Sequence, residues 1–576
     1  MHSIPSQQPA PRVLLAGVFG PFGVDDEFGR KENIMELFHN QVTRGQGAAS
    51  FRFHHRSFGL YFLAENIDAD ITVLDFPSRK RFIRELRNDY DMVGISFIAP
   101  NMVKAKEMAR LIREHSPDTE IILGGHGAAI EGVEELIDCD HVVKGEGVRW
   151  LREHLGQDPD APIVHPALPS TELQHIWGVP VPGITSSLLV PGVGCVNGCN
   201  FCCTSHFFGK CYTPYIGSGK ALFETARSIA DQRGTDSFFI MDENFLKDGD
   251  RAMELIDEME RHERFFRFHI FSSAEAITAF GVDNLVRLGV TMCWIGFESQ
   301  SRQSEYVKNE GIDARRLVRQ LRDRGISVLG SGILCMEHHT PENMQEDIDF
   351  LVGLQTDMVQ FMLLTPMPVT ALYERHRRKG WLKTEIPLEE WHGQKLLTYD
   401  HSAFPGDSAA RWLDGAFEQD HLANSSTMYR VAETSLRGYL HLAAMEQRDA
   451  NHQARMEQFE TQARGYAPML PAISINAVNE LERSRAEELE SRVKATFGRP
   501  TLKEKAMRIA VAGLVARWQW RIKLFGDSLQ PKTLVTRYQA GQRDSVIEIL
   551  DRAATNLADT ARAELRGAAA SPAESG

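Results

Sequence analysis

At 576 residues the chain is too long for one ordinary hydrophobic core, and roughly three domains are expected. It is 43% hydrophobic and 25% charged with a formal charge of −14; an acidic balance of this kind argues against nucleic-acid binding, which rests on Lys and Arg neutralising phosphates. No apolar run of about 18 residues occurs, and the opening MHSIPSQQPAPR has no apolar h-region, so the reading is a cytoplasmic protein with neither a span nor a signal peptide.

From residue 11 to about 155, short apolar runs alternate with helical spacing. The runs are Val13–Val18, Ile71–Asp75, Met92–Phe97, Glu120–Gly125 and His141–Glu146, and Met102–Glu114 carries charges on an outer face. This is the pattern of a doubly wound, Rossmann-like parallel sheet. Such sheets bind ligands at the carboxyl ends of their strands. Ser96, Gly124 and Gly125 fall there, the glycines allowing close approach of a backbone to a ligand. Residues 166–184 are rich in proline and read as a linker.

Alternation resumes at Thr185. Ser187–Val190 leads into Gly194-Cys195-Val196-Asn197-Gly198-Cys199-Asn200-Phe201-Cys202, with cysteines at i, i+4 and i+7. Of the eight cysteines, four lie between 195 and 203, which suits metal binding rather than a disulfide scaffold. Three thiolates at this spacing can hold three irons of a 4Fe–4S cube and leave the fourth open, whereas a cluster that only moves electrons normally has a fourth cysteine. Zinc or a set of packed thiols is the alternative, but no second C-x₂₋₄-C pair follows. Cys203 reads as a packed neighbour of the loop. Further strands are expected at Ser237–Met241, Arg267–Phe271, Thr291–Gly296, Ser327–Leu334 and Met358–Met362, with polar residues at their ends. Six strands fit a partial (β/α)₆ barrel, whose chemistry sits at the strand ends.

The motif C-x-x-x-C-x-aromatic-C resembles the signature of the radical S-adenosylmethionine (SAM) superfamily. The segments Asp91–Ser96, Leu123–His126 and Val143–Gly147 resemble the cobalamin-binding domain that precedes many radical SAM barrels. The Asp-x-His-x-x-Gly motif of some cobalamin proteins is absent, and His54-His55 stands without its flanking pattern. The resemblance implies Cys195, Cys199 and Cys202 as cluster ligands. It implies Phe201, Met241, Asp242, Glu243, Ser272, Ser273 and Glu298 as SAM contacts, and Ser96, Gly124, Gly125, Gly145 and Glu146 as cobalamin contacts. Leu364–Tyr373 resembles the segment closing such barrels, with Val369 where Gly is usual.

Three domains and two flanking segments follow: cobalamin-binding 1–165, linker 166–184, barrel 185–385, a mainly helical region 386–566 and a disordered tail 567–576. Cys335, after a strand end, is a candidate hydrogen or proton donor; Cys293 reads as a buried thiol, and His338-His339 as solvated loop histidines. Arg499–Lys523 is basic and contains Trp518 and Trp520. It is read as a helix packed on the barrel with its cations in water, the alternative being peripheral contact with an anionic membrane. The resemblance implies cluster, SAM and cobalamin as cofactors and a flavodoxin or ferredoxin as electron donor. The substrate would be a small or lipid-like molecule, methylated at an unactivated carbon through a 5′-deoxyadenosyl radical and methylcobalamin. A radical cyclase, rearrangement or carbon–carbon coupling enzyme, or a cobalamin or redox sensor without turnover, are the other readings.

Overall fold

The computed structural model describes residues 10–20, 56–172, 175–176, 179–180, 185–300, 309, 311–525 and 533–549. His54, His55 and the tail from 567 on lie outside the described residues. Two seven-stranded sheets organise the chain. In the first, β1 (Arg12–Gly17), β2 (Asp70–Asp75), β3 (Met92–Ser96), β4 (Glu120–Gly124) and β5 (His141–Val142) run parallel in the order β2-β1-β3-β4-β5. Leu14, Ala16, Val93, Ile95, Ile121 and Leu123 pack on one side of this sheet, and Val13, Leu15, Ile71, Val73 and Ile122 on the other. A sheet buried on both faces needs apolar residues at nearly every position, which is why these strands read as unbroken runs. Strand order reverses between β1 and β3, the switch point at which such sheets bind ligands.

The remaining two strands of this sheet come from the far end of the chain. β17 (Leu534–Gln539) pairs antiparallel with β2, and β18 (Gln542–Ile549) pairs with β17. Val535 enters the core, and Arg537 reaches Glu85 at 3.0 Å and the Thr72 hydroxyl at 3.0 Å. Among the described residues, the region after 386 is helical up to Phe525, and the hairpin of β17 and β18 covers the edge of β2, which would otherwise offer unpaired backbone groups.

In the second sheet, β9 (Thr185–Leu189), β12 (Ser237–Ile240), β13 (Arg267–Phe271), β14 (Val290–Glu298), β15 (Ser327–Leu334) and β16 (Met358–Leu363) are parallel neighbours. These are the six strands expected from sequence. The proline-rich stretch before them supplies β6 (Pro169–Glu172), antiparallel to β9, and a small hairpin of β7 (His175–Ile176) and β8 (Val179–Pro180). Helices such as Gly219–Arg233, Gly249–Arg261 and Pro341–Gly353 connect the parallel strands. Phe238, Phe268, Ile270, Cys293 and Ile295 belong to the core on the helix side, while Phe239, Phe271 and Trp294, at alternate positions, are only half-buried.

Five long helices follow, from Ser408–Asn424 to Leu502–Phe525. They are fastened to the barrel by buried polar links: Arg430 pairs with Asp420 at 2.8 Å and donates to the Thr356 carbonyl at 2.8 Å, and Thr434 donates to Asp357 at 2.6 Å. The basic helix departs from expectation. It rests on the segments Ala467–Met469 and Leu470–Ile475 of the helical region, and Ile509, Trp520 and Leu524 are exposed. No helix among the described residues is long and apolar enough to cross a membrane.

Val369 takes a left-handed φ of +73°. A β-branched residue is strained there by about 1–2 kcal/mol relative to its ordinary conformations, and glycine is not. Val369→Gly is expected to stabilise the protein by about 1 kcal/mol, net of the entropy that glycine loses on folding. Urea unfolding measures this; an unchanged or lower midpoint would contradict it.

Candidate functional site

The cysteine loop, with the short helix Cys203–Phe207 after it, joins the two strands of a small antiparallel ribbon that follows β9, β10 (Gly192–Gly194) and β11 (Tyr212–Pro214). Its turns depend on two glycines. At Gly194 (φ +91°) an added Cβ would lie 2.2 Å from the Cys211 carbonyl oxygen, and Gly198 has φ +64°. Ser205 cross-braces the loop: its hydroxyl donates to the Cys195 carbonyl at 2.7 Å and accepts from the Gly198 amide at 3.0 Å. Cys195, Cys199 and Cys202 are half-buried and free of disulfides, and the neighbouring thiols help to raise the pKa of Cys195 and of Cys202. Burial is the larger cause, pushing Cys202 up to about 11; a bound metal would override it by deprotonating a coordinating thiol outright.

A tetrahedral zinc with bonds of about 2.3 Å would hold sulfurs about 3.8 Å apart. Among the described residues, the groups whose ligand atoms all lie within 4.8 Å of one another are elsewhere, so the triad is spread wider than a single ion requires. That spread and the open thiols fit three corners of a 4Fe–4S cluster. Cys203 starts the short helix Cys203–Phe207, and burial, then the Cys202 charge, push its thiol up to about 12.

The strand ends beside the loop carry the residues expected to meet SAM. Phe201 packs half-buried against the barrel core. The Met241 amide donates to the Leu189 carbonyl at 2.9 Å, holding the end of β12 beside the strand that delivers the cysteines. The Asp242 carboxylate is already engaged, with Arg251 at 3.0 Å and the Tyr212 hydroxyl at 2.8 Å, and so acts as a strut between β11 and β12. Glu243 is different. Its side chain is reachable by solvent, but the surrounding protein desolvates it and, with the Asp242 charge, raises its carboxyl to about 7; Thr204, one residue past Cys203, hydrogen-bonds to it. Ser272 and Ser273 converge on Asn244: both hydroxyls and the Ser273 amide donate to its Oδ1 at 3.0–3.2 Å. Glu298 is buried at the end of β14 with φ +59°, just after a register shift at Gly296, a strained geometry of the kind that clusters at ligand sites.

On the opposite side, at the carboxyl ends of the first sheet, an added Cβ at Gly124 or Gly145 would meet nothing within 4 Å, so the backbone there borders open space. Gly125 (φ +78°) is required for packing instead, since a Cβ would sit 2.6 Å from the Phe97 carbonyl oxygen and 3.0 Å from the Ser96 hydroxyl. The open strand ends of β4 and β5, on the same edge as the switch point, fit a cobalamin cradle. Glu146 caps the helix Gly147–His154, accepting from the Val148 and Arg149 amides, and also accepts from the Tyr215 hydroxyl at 2.9 Å. Tyr215 follows β11, so this bond joins the two domains beside the cysteine loop. His126 packs its ring on Phe207 at 4.7 Å, and its Nε2 is buried without a hydrogen-bond partner. The open glycines and the cysteine loop therefore border one interdomain region.

Two expectations are corrected. The Cys335 thiol is sealed in the core against the Met344 sulfur at 3.8 Å, and burial holds its pKa near 12; a thiol packed this way does not meet a substrate, and its proposed donor role is not carried forward. His339 is not solvated but fully buried, with Nε2 3.1 Å from Asp347 and Nδ1 accepting from the Met336 amide at 3.0 Å. Sequence reasoning also missed the holding roles of Tyr212, Asn244 and Arg251 at the strand ends, and the half-buried strip of Phe239, Phe271 and Trp294, whose rings meet in turn at 5.2 and 4.9 Å, tilted by 37° and 34°. Its signal was the period-two placement of aromatics on β12, β13 and β14.

Single Ala substitutions at Cys195, Cys199 or Cys202 are expected to lower the iron retained after anaerobic reconstitution by roughly tenfold or more, whereas Cys203→Ala keeps it; iron analysis and visible absorbance decide, and loss in Cys203→Ala would contradict the assignment. Glu243 gives a pH signature. Its folded pKa lies above its unfolded one, so in the cluster-free protein the native state holds the extra proton between about 4.5 and about 7, and stability falls as pH rises through that window. Glu243→Gln should remove this component and be the more stable protein above pH 7, measured as urea midpoints across the range; parallel curves for the two proteins would contradict the raised carboxyl.

Comparison with known proteins bears on the same two regions. A family model described as the B12 binding domain matches residues 47–154, and one described as the radical SAM superfamily matches residues 189–351. An uncharacterized methyltransferase of Pyrococcus horikoshii is 23% identical over 361 residues, covering 55% of this chain and 77% of that protein. The bacteriochlorophyllide d C-8(2)-methyltransferase of Chlorobaculum tepidum is 25% identical over 336 residues, covering 54% and 72%. The anaerobic magnesium-protoporphyrin IX monomethyl ester cyclase of Rubrivivax gelatinosus is 23% identical over 326 residues, covering 49% of this chain and 58% of the cyclase. In fold, the chain is similar to the radical SAM methyltransferase TsrM of Kitasatospora setae, solved with cobalamin and a [4Fe-4S] cluster, with a TM-score of 0.50 and 16% identity over 79% of this chain and all of that one. With both family models matched in tandem, and the cysteine triad and the open glycines after β4 and β5 brought to one interdomain region, the chain carries a B12 binding domain followed by a radical SAM domain, the domain pair of cobalamin-dependent radical SAM enzymes.

Proposed function

We propose that this protein is a C-methyltransferase acting on a small organic substrate held between its two sheets. The observation that carries the reading is the meeting of the carboxyl ends of both sheets: the turn after β4 and the Gly145–Glu146 loop lie against residues flanking the cysteine loop, through His126 on Phe207 and Glu146 on Tyr215. When bound, the cluster with SAM supplies a 5′-deoxyadenosyl radical and cobalamin supplies a methyl group; both are the cofactors' own chemistry.

The chain's part is placement. Cys195, Cys199 and Cys202 would hold the cluster, with no fourth cysteine of the loop assigned to it. Glu243, the solvent-reachable carboxyl beside the triad, accepts from the SAM ammonium, and its elevated pKa falls once that positive charge is beside it. Asp242, locked by Arg251 and Tyr212, fixes where Glu243 stands, and Asn244 sets the two serines in position for the ribose. Gly124 and Gly145 would border the cobalamin, with Ser96 and Gly125 packed together to shape the turn beside them. On the concave face of the barrel, Phe239, Phe271 and Trp294 offer an aromatic wall of successively tilted rings, and His269 next to it is held neutral, its pKa pushed down to about 4 by desolvation and then by Arg267. A wall with no charge favours a planar, conjugated substrate by stacking. An acidic electron carrier of the flavodoxin or ferredoxin class would supply the reducing electron.

The cluster- and cobalamin-loaded protein, incubated anaerobically with reductant and SAM carrying a deuterated methyl group, is expected to form 5′-deoxyadenosine and to pass the label to one of a panel of planar aromatic and tetrapyrrole compounds. Neither product from fully loaded protein would contradict the proposal. The likeness to a cyclase favours a second reading, and 5′-deoxyadenosine with an altered but unlabelled product would select it. Trp294→Ala should raise KM by roughly tenfold if the aromatic wall binds the substrate, as loss of a stacking contact of about 1–1.5 kcal/mol implies; an unchanged KM would remove the wall from the site.

A further inference from the structure

At the other end of the first sheet, away from the cofactor side, three side chains from three elements converge. Glu120 is the first residue of β4, His141 the first of β5, and His154 the last of the helix Gly147–His154. Both imidazoles turn Nε2 toward the one carboxylate: His141 contacts one Glu120 oxygen, and His154 the other at 3.2 Å. The ligand atoms all lie within 4.8 Å of one another. Trp150, one turn before His154, stacks on that ring at 4.9 Å and 12° and leans on His141 at 5.6 Å, so both rings are held in orientation from behind.

We propose that Glu120, His141 and His154 form a binding site for a divalent cation of the borderline class, with zinc as the fitting ion, in which the two imidazole Nε2 atoms and one carboxylate oxygen supply three ligands. Two neutral imidazoles and one carboxylate are a donor set that zinc takes readily, with water in the fourth position. A tetrahedral zinc with bonds of about 2.1 Å spaces its ligand atoms about 3.4 Å apart, within reach of small side-chain rotations from the arrangement seen. The helix macrodipole adds to the attraction, since His154 sits at the carbonyl end of its helix, where a cation is favoured.

The site would have a structural consequence inside the same domain. β5 is a two-residue edge strand, paired to β4 only through Ile122–His141 and Leu123–Val142. An ion at this place ties β4, β5 and the C-terminal end of the helix into one unit. The other end of that helix is capped by Glu146, the residue that bonds to Tyr215 across the domain interface. Binding would thus steady the helix that presents the Gly145–Glu146 loop without touching the cofactor region.

Zinc is the probe, added to full-length protein with its cluster assembled, so that the cysteine loop is already filled. The proposal expects one zinc per chain to survive dialysis, a zinc X-ray absorption spectrum fitted by nitrogen and oxygen with imidazole outer scattering, and a rise in Tm on zinc addition. His154→Gln and His141→Ala should each weaken zinc binding by roughly tenfold or more and abolish the Tm rise while retaining the iron content of the wild type. Zinc binding by either variant as tight as that of the wild type, sulfur in the zinc shell, or no zinc retained by the wild type would each overturn it. His154→Gln changes a side chain at the end of a helix, so its failure to bind zinc cannot be put down to a collapsed core if circular dichroism is unchanged.

Discussion

Tyr215 donates to Glu146 at 2.9 Å, and the contact sits where two parallel sheets point their carboxyl ends at each other. The rest of the architecture depends on that meeting. A parallel sheet directs ligands to one end only, so two cofactor-binding sheets can share a substrate only if those ends face. Several contacts enforce the arrangement. Phe62 stacks on Tyr215 at 5.5 Å, and Leu168 and Leu188 join the core beneath the first sheet. The C-terminal hairpin adds a longer tie. By pairing with β2 it returns the chain from the helical region to the domain where it began.

Within this frame the cofactor side chains divide into those that touch and those that hold. Asp242, Glu146, Ser272 and Ser273 all have partners inside the protein and keep strand ends and loops in place. Glu243, exposed beside the cysteine loop and bonded to Thr204, and the glycines with open space around them lie near the region between the sheets. Glu298 holds a left-handed backbone that a long side chain adopts only under constraint, as does Val369 near the close of the barrel.

Much of this could be read in the amino-acid sequence because parallel strands covered on both faces announce themselves as continuous apolar runs; all six barrel strands and the five parallel strands of the first sheet appear where those runs lie. The cysteine spacing was legible for a local reason, since one loop supplies the triad. What stayed hidden depends on distant partners. The hairpin of β17 and β18 joins β2 across more than four hundred residues, and no local pattern shows which edge it covers. His338-His339 looks like polar loop, but Asp347, on the following helix, draws His339 into the interior. Cys335 stands at a strand end as expected, yet its left-handed φ of +54° goes with a thiol packed against Met344 rather than toward the concave face. The apolar residues of the basic helix promised a packed face, but Ile509 and Leu524 remain exposed because the helix lies on the short segments after Tyr466 instead of on the barrel.

The central claim, that the two cofactors bind at facing sheet ends and share one space, has a direct physical readout. In frozen, anaerobic protein carrying a reduced cluster and cob(II)alamin together, electron paramagnetic resonance should show each signal broadened or split by the other, and the effect should vanish when either centre is left diamagnetic. A spectrum equal to the simple sum of the two isolated centres, in protein shown by analysis to contain both, would place them too far apart for a common substrate and contradict the account.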